Sequence, residues 1–174
     1  MADVPPAPSA LEIIAAGDIA CDGYAQAATA DGIDALLAGH PVVAALVLGD
    51  EAYASGLLSE FQSFYAPAWG RPEILSISHP VPGNHEYETG AATGYFDYFD
   101  GPGAQKGMAG PRDQGYYSFD LAGWHFIALN SSDACRWVSC AAGSPQQQWL
   151  AADLTAHPTT GPNRLEDLLH ACGR

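Results

Sequence analysis

The sequence predicts an α/β fold built on a largely parallel sheet. Apolar runs at 11–16, 42–48 and 74–77 alternate with segments of helical spacing at 24–38 and 57–65. That strand–helix–strand–helix–strand order favours right-handed crossovers and parallel pairing. Each run also ends at, or shortly before, a glycine followed by an oxygen-bearing side chain: Gly17-Asp18, Gly49-Asp50 and Gly83-Asn84. In such sheets the crevice that holds a ligand lies beyond the carboxyl ends of the strands.

Taken in order, residues 1–10 are rich in Pro and Ala and read as a flexible lead-in. Leu11 to Ala16 is the first strand. Tyr24 to Ala38 is a helix through Ala27, Ile33, Leu36 and Leu37, with Gly39 as its C-terminal stop. Val42 to Leu48 is unbroken and Val-rich, as a strand buried on both faces should be. Leu57 to Tyr65 is a second helix closed by Pro67, and Ile74 to Ile77 a third strand. Thr93 to Phe99 reads as a short aromatic helix. Tyr116 to Leu121 and Trp124 to Leu129 form a hairpin around Ala122-Gly123, continuing the sheet or beginning a second one. Ser144-Pro145-Gln146-Gln147 is a helix start, with Pro at the first helical position. From His157 the character changes, and Asn163 caps a short Leu165/Leu168/Leu169 stripe.

Composition narrows the function. At 174 residues, nearly half of them apolar, the chain can build one domain with a real core. No apolar run approaches the roughly 18–20 residues of a membrane span. The formal charge of −14 argues against a nucleic-acid partner, because phosphate backbones demand clustered Lys and Arg. A small phosphorylated substrate stays open if metal ions supply the positive charge. Cys135 and Cys140 flank four residues and are expected to pair, which points to an oxidising compartment and hence to secretion. Residues 1–6, however, have neither the basic start nor the apolar core of a signal peptide. The compartment is therefore left open, as is the oligomeric state.

The strand ends collect Asp18, Asp50 with Tyr53, and Asn84 with His85. Two carboxylates, a phenol and an amide are oxygen donors for hard or borderline metals. Asp50, from the middle motif, is the natural bridge between two ions. A two-metal site polarises a phosphoryl oxygen and generates hydroxide at neutral pH. His85 then stands beside the ions as the general acid for the leaving oxygen.

Gly-Asp, then Gly-Asp-x-x-Tyr, then Gly-Asn-His-Glu, in this order, resembles the calcineurin-like metallophosphoesterases, nearest their purple acid phosphatase branch. The Tyr117–Asp120 and Ala128–Ser131 segments and Gln147-Gln148-Trp149-Leu150 are similar to that family in the same order. The resemblance spans about residues 11–156. It implies a β-sandwich flanked by helices, and a dinuclear centre in which iron is joined by zinc, manganese or a second iron. Asp18 and Tyr53 would hold one ion, Asn84 the other, Asp50 both, and His85 would be the acid.

Three departures accompany the likeness. Ala20 stands where many relatives have His, which fits a branch that uses Tyr53 instead. Glu51 stands where many have Asn. The family's later histidines, two of them in Gly-His-x-His, have no counterpart; His157 and His170 are the downstream candidates, in unmatched contexts. The chain therefore reads as the N-terminal portion of such a domain over 11–156, its C-terminal half missing, with a divergent tail at 157–174. The expected activity is phosphate-ester hydrolysis. The alternatives are a catalytically incompetent remnant, and a nucleotide-binding α/β module, against which the lack of GxGxxG or GxxxxGK[ST] counts. His40, His79 and His125 read as structural, Tyr95/Phe96/Tyr98/Phe99 as packing, and Glu86 either as a brace for its loop or as a solvated acid.

Overall fold

The computed structural model describes residues 11–23 and 25–158, so the 1–10 lead-in, the Leu165/Leu168/Leu169 stripe and His170 lie outside the described residues. The chain is mixed α/β. Its central sheet has three parallel strands in the order β1 (Glu12–Ala16), β2 (Val42–Leu48), β3 (Ser78–Val81). Helix α1 (Ala25–Gly39) makes the first crossover. The second is a run of short pieces, α2 (Leu58–Glu60), a π-helical turn (Phe61–Tyr65) and α3 (Pro72–Leu75). A two-stranded ribbon, β4 (Lys106–Gly107) and β5 (Gly110–Pro111), precedes the antiparallel hairpin of β6 (Tyr117–Leu121) and β7 (Trp124–Ala128).

One expectation needs correction. Ile74 to Ile77 is not a strand: Ile74 and Leu75 close helix α3, and the third strand is Ser78–Val81. Pro72 sits at the first helical position, where its missing N–H costs nothing. Ile74 drops into the core with no exposed surface, and Ser78 Oγ donates to its carbonyl at 2.8 Å. A four-residue apolar run has no periodicity to separate strand from helix. The expected helix over 57–65 is present as an unbroken helical stretch over 58–65, which widens from one α-turn into a π-turn that sends Phe61 and Tyr65 into the core, ring centroids 5.8 Å apart. The Glu60 carboxylate holds its start, accepting from the N–H groups of Ala54, Ser55 and Leu57.

Side-chain alternation along β2 divides the core between two layers. Val47 packs toward the helices with Ile33, Phe61, Tyr65, Trp69, Tyr95 and Phe96. Ala44, Leu46 and Leu48 face the hairpin, where they meet Val81, Tyr117, Phe119, Leu121 and Ala128. The hairpin thus begins a second layer instead of extending the first. The 93–99 aromatic helix, α4 (Thr93–Phe99), packs as core, with Tyr98 stacked on Phe61 at 5.0 Å and Phe99 edge-on to it at 5.7 Å. Edge strand β3 carries Pro80, whose carbonyl accepts from both Tyr95 (3.0 Å) and Tyr117 (2.9 Å).

Asn130 locks the end of the hairpin. Its Nδ2 donates to Tyr87 Oη (2.7 Å) and to the Gln114 carbonyl (2.8 Å), while Gln146 bonds its backbone from both sides. Gln146 lies on α6 (Pro145–Ala156), which Ser144 caps as expected by accepting the Gln147 N–H. Between them lies the turn α5 (Ser132–Cys135), and the Cys135–Cys140 disulfide is formed, with Cα atoms 5.5 Å apart. Among the described residues no helix is long and apolar enough to cross a membrane.

Candidate metal centre

The three glycine-ended motifs meet beyond the carboxyl ends of β1, β2 and β3. Backbone pairing outlasts the strands: Asp18 N–H donates to Gly49 O (3.1 Å), Ile19 N–H to Asp50 O (3.0 Å) and Ala20 N–H to Glu51 O (3.1 Å). Asp18 and Asp50 both sit in the left-handed region, at φ 55° and 53°. Aspartate tolerates this conformation better than most residues, and such positions collect where function demands an unusual side-chain direction.

Close backbone approach explains two of the glycines. A Cβ on Gly49 would lie 2.8 Å from Gly83 Cα, and one on Gly83 would lie 2.1 Å from Asp50 Oδ1. The second and third motifs therefore touch through bare backbone, which brings the Asn84-His85 turn against Asp50.

Of the five residues singled out by sequence, four are joined directly. The Tyr53 hydroxyl bonds Asp18 Oδ1 and lies 3.3 Å from Asp50 Oδ2. His85 N–H donates to the other Asp50 oxygen, Oδ1, at 3.0 Å. The His85 ring lies 4.4 Å from the Tyr53 ring, and its Nδ1 is 2.6 Å from the Ala54 carbonyl. Only a protonated Nδ1 satisfies that carbonyl, so Nε2 is the nitrogen left to act. Asn84 adjoins them through the chain, as the residue that opens the turn His85–Thr89; its side chain is half-buried and makes no capping bond. Burial and the two neighbouring carboxylates push the Tyr53 phenol well above its ordinary range.

Beneath the rim are two carboxyls that pattern reading did not resolve. Glu86 has no exposed surface and braces its loop: it accepts from the N–H groups of Asp50 (3.0 Å), Glu51 (2.9 Å), Ala52 (3.3 Å) and Gly83 (2.8 Å). Glu51 is equally buried, and neither of its oxygens accepts a hydrogen bond among the described residues. Burial, reinforced by the Glu86 charge, drives the Glu51 carboxyl well above the usual carboxylate range. Glu86 is raised as well, first by burial, but the Glu51 side chain and then the backbone donors to Glu86 oppose the shift. Glu51 is thus the better holder of a proton and Glu86 the better holder of charge. Ala20 is fully buried and paired to Ala52 across an isolated parallel bridge.

The remaining described histidines are engaged elsewhere. His40 pairs with Glu12 (3.0 Å), His79 stacks on Phe119 (3.6 Å), and His125 and His157 lie together beside Asp153. The donor set at the rim, two carboxylates, a phenol and an amide, suits a hard or borderline cation. No family model and no curated protein matches the chain.

Proposed function

We propose that this chain is a metal-dependent hydrolase of phosphate esters with a metallophosphoesterase-type sandwich. Asp18, Tyr53, Asp50 and Asn84 would hold its metal ions, and His85 would be its general acid. One observation carries the reading: the Tyr53 hydroxyl lies between the Asp18 and Asp50 carboxylates, while the second Asp50 oxygen faces the His85 turn. The two Asp50 oxygens thus look toward different neighbours, so this carboxylate could serve more than one ion. Electrostatics supports the same view. A phosphorylated substrate approaching two carboxylates on a chain of net charge −14 is repelled unless cations intervene. Bound there, such ions would supply Lewis acidity toward a phosphoryl oxygen and an activated water at neutral pH.

The chain's own groups have distinct tasks. Asp50 is aimed by the His85 N–H on one side and by the Glu86 brace behind its backbone. Tyr53 orients Asp18 and Asp50 through its hydroxyl. The Ala54 carbonyl fixes the His85 ring, so that the imidazolium donates its Nε2 proton to the leaving ester oxygen and becomes neutral.

A second reading, a metal-poor remnant without turnover, is favoured by the engagement of the other described histidines away from the rim. Oxygen donors without imidazoles hold transition metals loosely and tune a bound water poorly. The test is metal content by mass spectrometry together with hydrolysis of p-nitrophenyl phosphate. We expect fewer than two tightly held ions at the rim and slow, metal-dependent turnover that Asp50→Ala and His85→Ala abolish. A folded chain that turns over no ester under any divalent or ferric loading supports the remnant instead.

A further inference from the structure

A second cluster of metal-type donors lies away from the strand ends, where the β6–β7 turn meets the last turn of α6. One ring nitrogen each of His125 and His157 and one Asp120 oxygen all lie within 4.8 Å of one another. The imidazoles stack at 3.8 Å and 17°. His125 Nε2 is 2.6 Å from Asp153 Oδ2, and His157 Nδ1 is 2.9 Å from the Asp153 backbone carbonyl. Asp153 is itself anchored by Ser118 Oγ at 2.7 Å. Metal-binding histidines characteristically donate their second ring N–H to a carboxylate or a carbonyl. Here both do so, to the same residue. That leaves Nδ1 of His125, now 2.7 Å from Asp120 Oδ1, and Nε2 of His157 as the ligand atoms.

We infer that Asp120, His125 and His157 form a binding site for one borderline divalent cation of the zinc class. Two imidazoles and one carboxylate are a zinc-type donor set, whereas calcium and magnesium prefer oxygen alone. Tetrahedral donors about 2.1 Å from an ion are ~3.4 Å apart, so the cluster needs only small rotations to close. Asp120 and His157 are exposed and free to make them, and the remaining coordination position opens to solvent. The ion would pin the end of α6 to the hairpin, a join otherwise made by Ser118, His125 and Asp153. None of its ligands belongs to the Asp18/Asp50/Asn84 rim, so the two sites are separable by mutation.

The test is zinc titration of the full chain by calorimetry, in the wild type and in an Asp50→Ala/Asn84→Ala variant that disables the rim. We expect one zinc equivalent to survive in the rim variant, and His157→Gln to remove one equivalent from both proteins. Asp120→Asn should weaken that equivalent about tenfold or more. Zinc at a hundredfold excess over its Kd should raise Tm by about 5–10 °C in the rim variant, and not in its His157→Gln derivative. Both substitutions are at exposed positions, so loss of folding does not cloud the result. If the rim variant fails to fold, the wild type losing one equivalent on His157→Gln decides in favour. Zinc stoichiometry and affinity indifferent to both His157→Gln and Asp120→Asn would overturn the assignment and leave a plain Asp–His–Asp ion network.

Discussion

Glu86 holds Asp50 by its backbone: one buried carboxylate oxygen accepts the Asp50 N–H at 3.0 Å, and also the Gly83 N–H at 2.8 Å. A single side chain thus fastens the second motif to the third, behind the rim and out of solvent. Glu86→Gln keeps the volume but turns an NH₂ group toward donors that need an acceptor. Net values for hydrogen bonds to charged groups are about 1.5–3 kcal/mol, and a buried unsatisfied group costs a similar amount. We expect Glu86→Gln to destabilise by about 3 kcal/mol in urea unfolding and to weaken metal binding at the rim. A loss under 1 kcal/mol would show that the brace is dispensable.

Gly83→Ala tests the bare-backbone contact. The new Cβ would fall 2.1 Å from Asp50 Oδ1 and 2.3 Å from Asp50 N, so Asp50 or the turn must move. Overpacking of this kind costs about 1–3 kcal/mol. The same substitution at Gly90, whose Cβ would meet nothing within 4 Å but whose φ is +70°, separates backbone strain from collision. Rim metal binding should fall in Gly83→Ala and hold in Gly90→Ala.

A third prediction concerns pH. His79 on β3 lies flat against Phe119 of the hairpin, the rings parallel and stacked at 3.6 Å, and burial holds its imidazole below the ordinary 6.5. The unfolded chain therefore takes up this proton before the folded one does. The stabilisation is complete above pH 6.5 and is lost as pH falls through 6.5 toward the depressed folded value. Near-ultraviolet circular dichroism of the aromatic hairpin should weaken over that window. His79→Phe, which keeps a ring on Phe119, should remove this component of the pH dependence; an unchanged profile would exclude His79 as its source.

The disulfide is the fourth. Cys135 and Cys140 close a small loop carrying Trp137, which stacks on Tyr87 at 5.3 Å and 9°. Chain-entropy estimates for so short a loop give about 2 kcal/mol. The Cys135→Ser/Cys140→Ser protein should lose that amount in chemical denaturation, and a reductant should do the same to the wild type. Equal stability with and without reductant would contradict a closed loop.

The strand ends were readable because their signal is local. A glycine, an acid and the end of an apolar run are adjacent along the chain, so Asp18, Asp50, Asn84 and His85 could be singled out without knowing how the strands pair. The same holds for the Ser144 cap, the 117–128 hairpin and the Cys135–Cys140 loop, each closed within a few residues. Where a local pattern was too short to carry a period, as at Ile74 to Ile77, packing decided: Ile74 is buried as a helical residue behind Pro72. Other features depend on groups far apart in sequence. Glu86 is an ordinary acid until folding carries the 50–52 backbone to its carboxylate, and His125 an isolated imidazole until α6 delivers Asp153 and His157. Composition and short-range pattern specify which side chains stand at the strand ends. Which of them share a proton, an oxygen or an ion is set by distances that only the packed layers create.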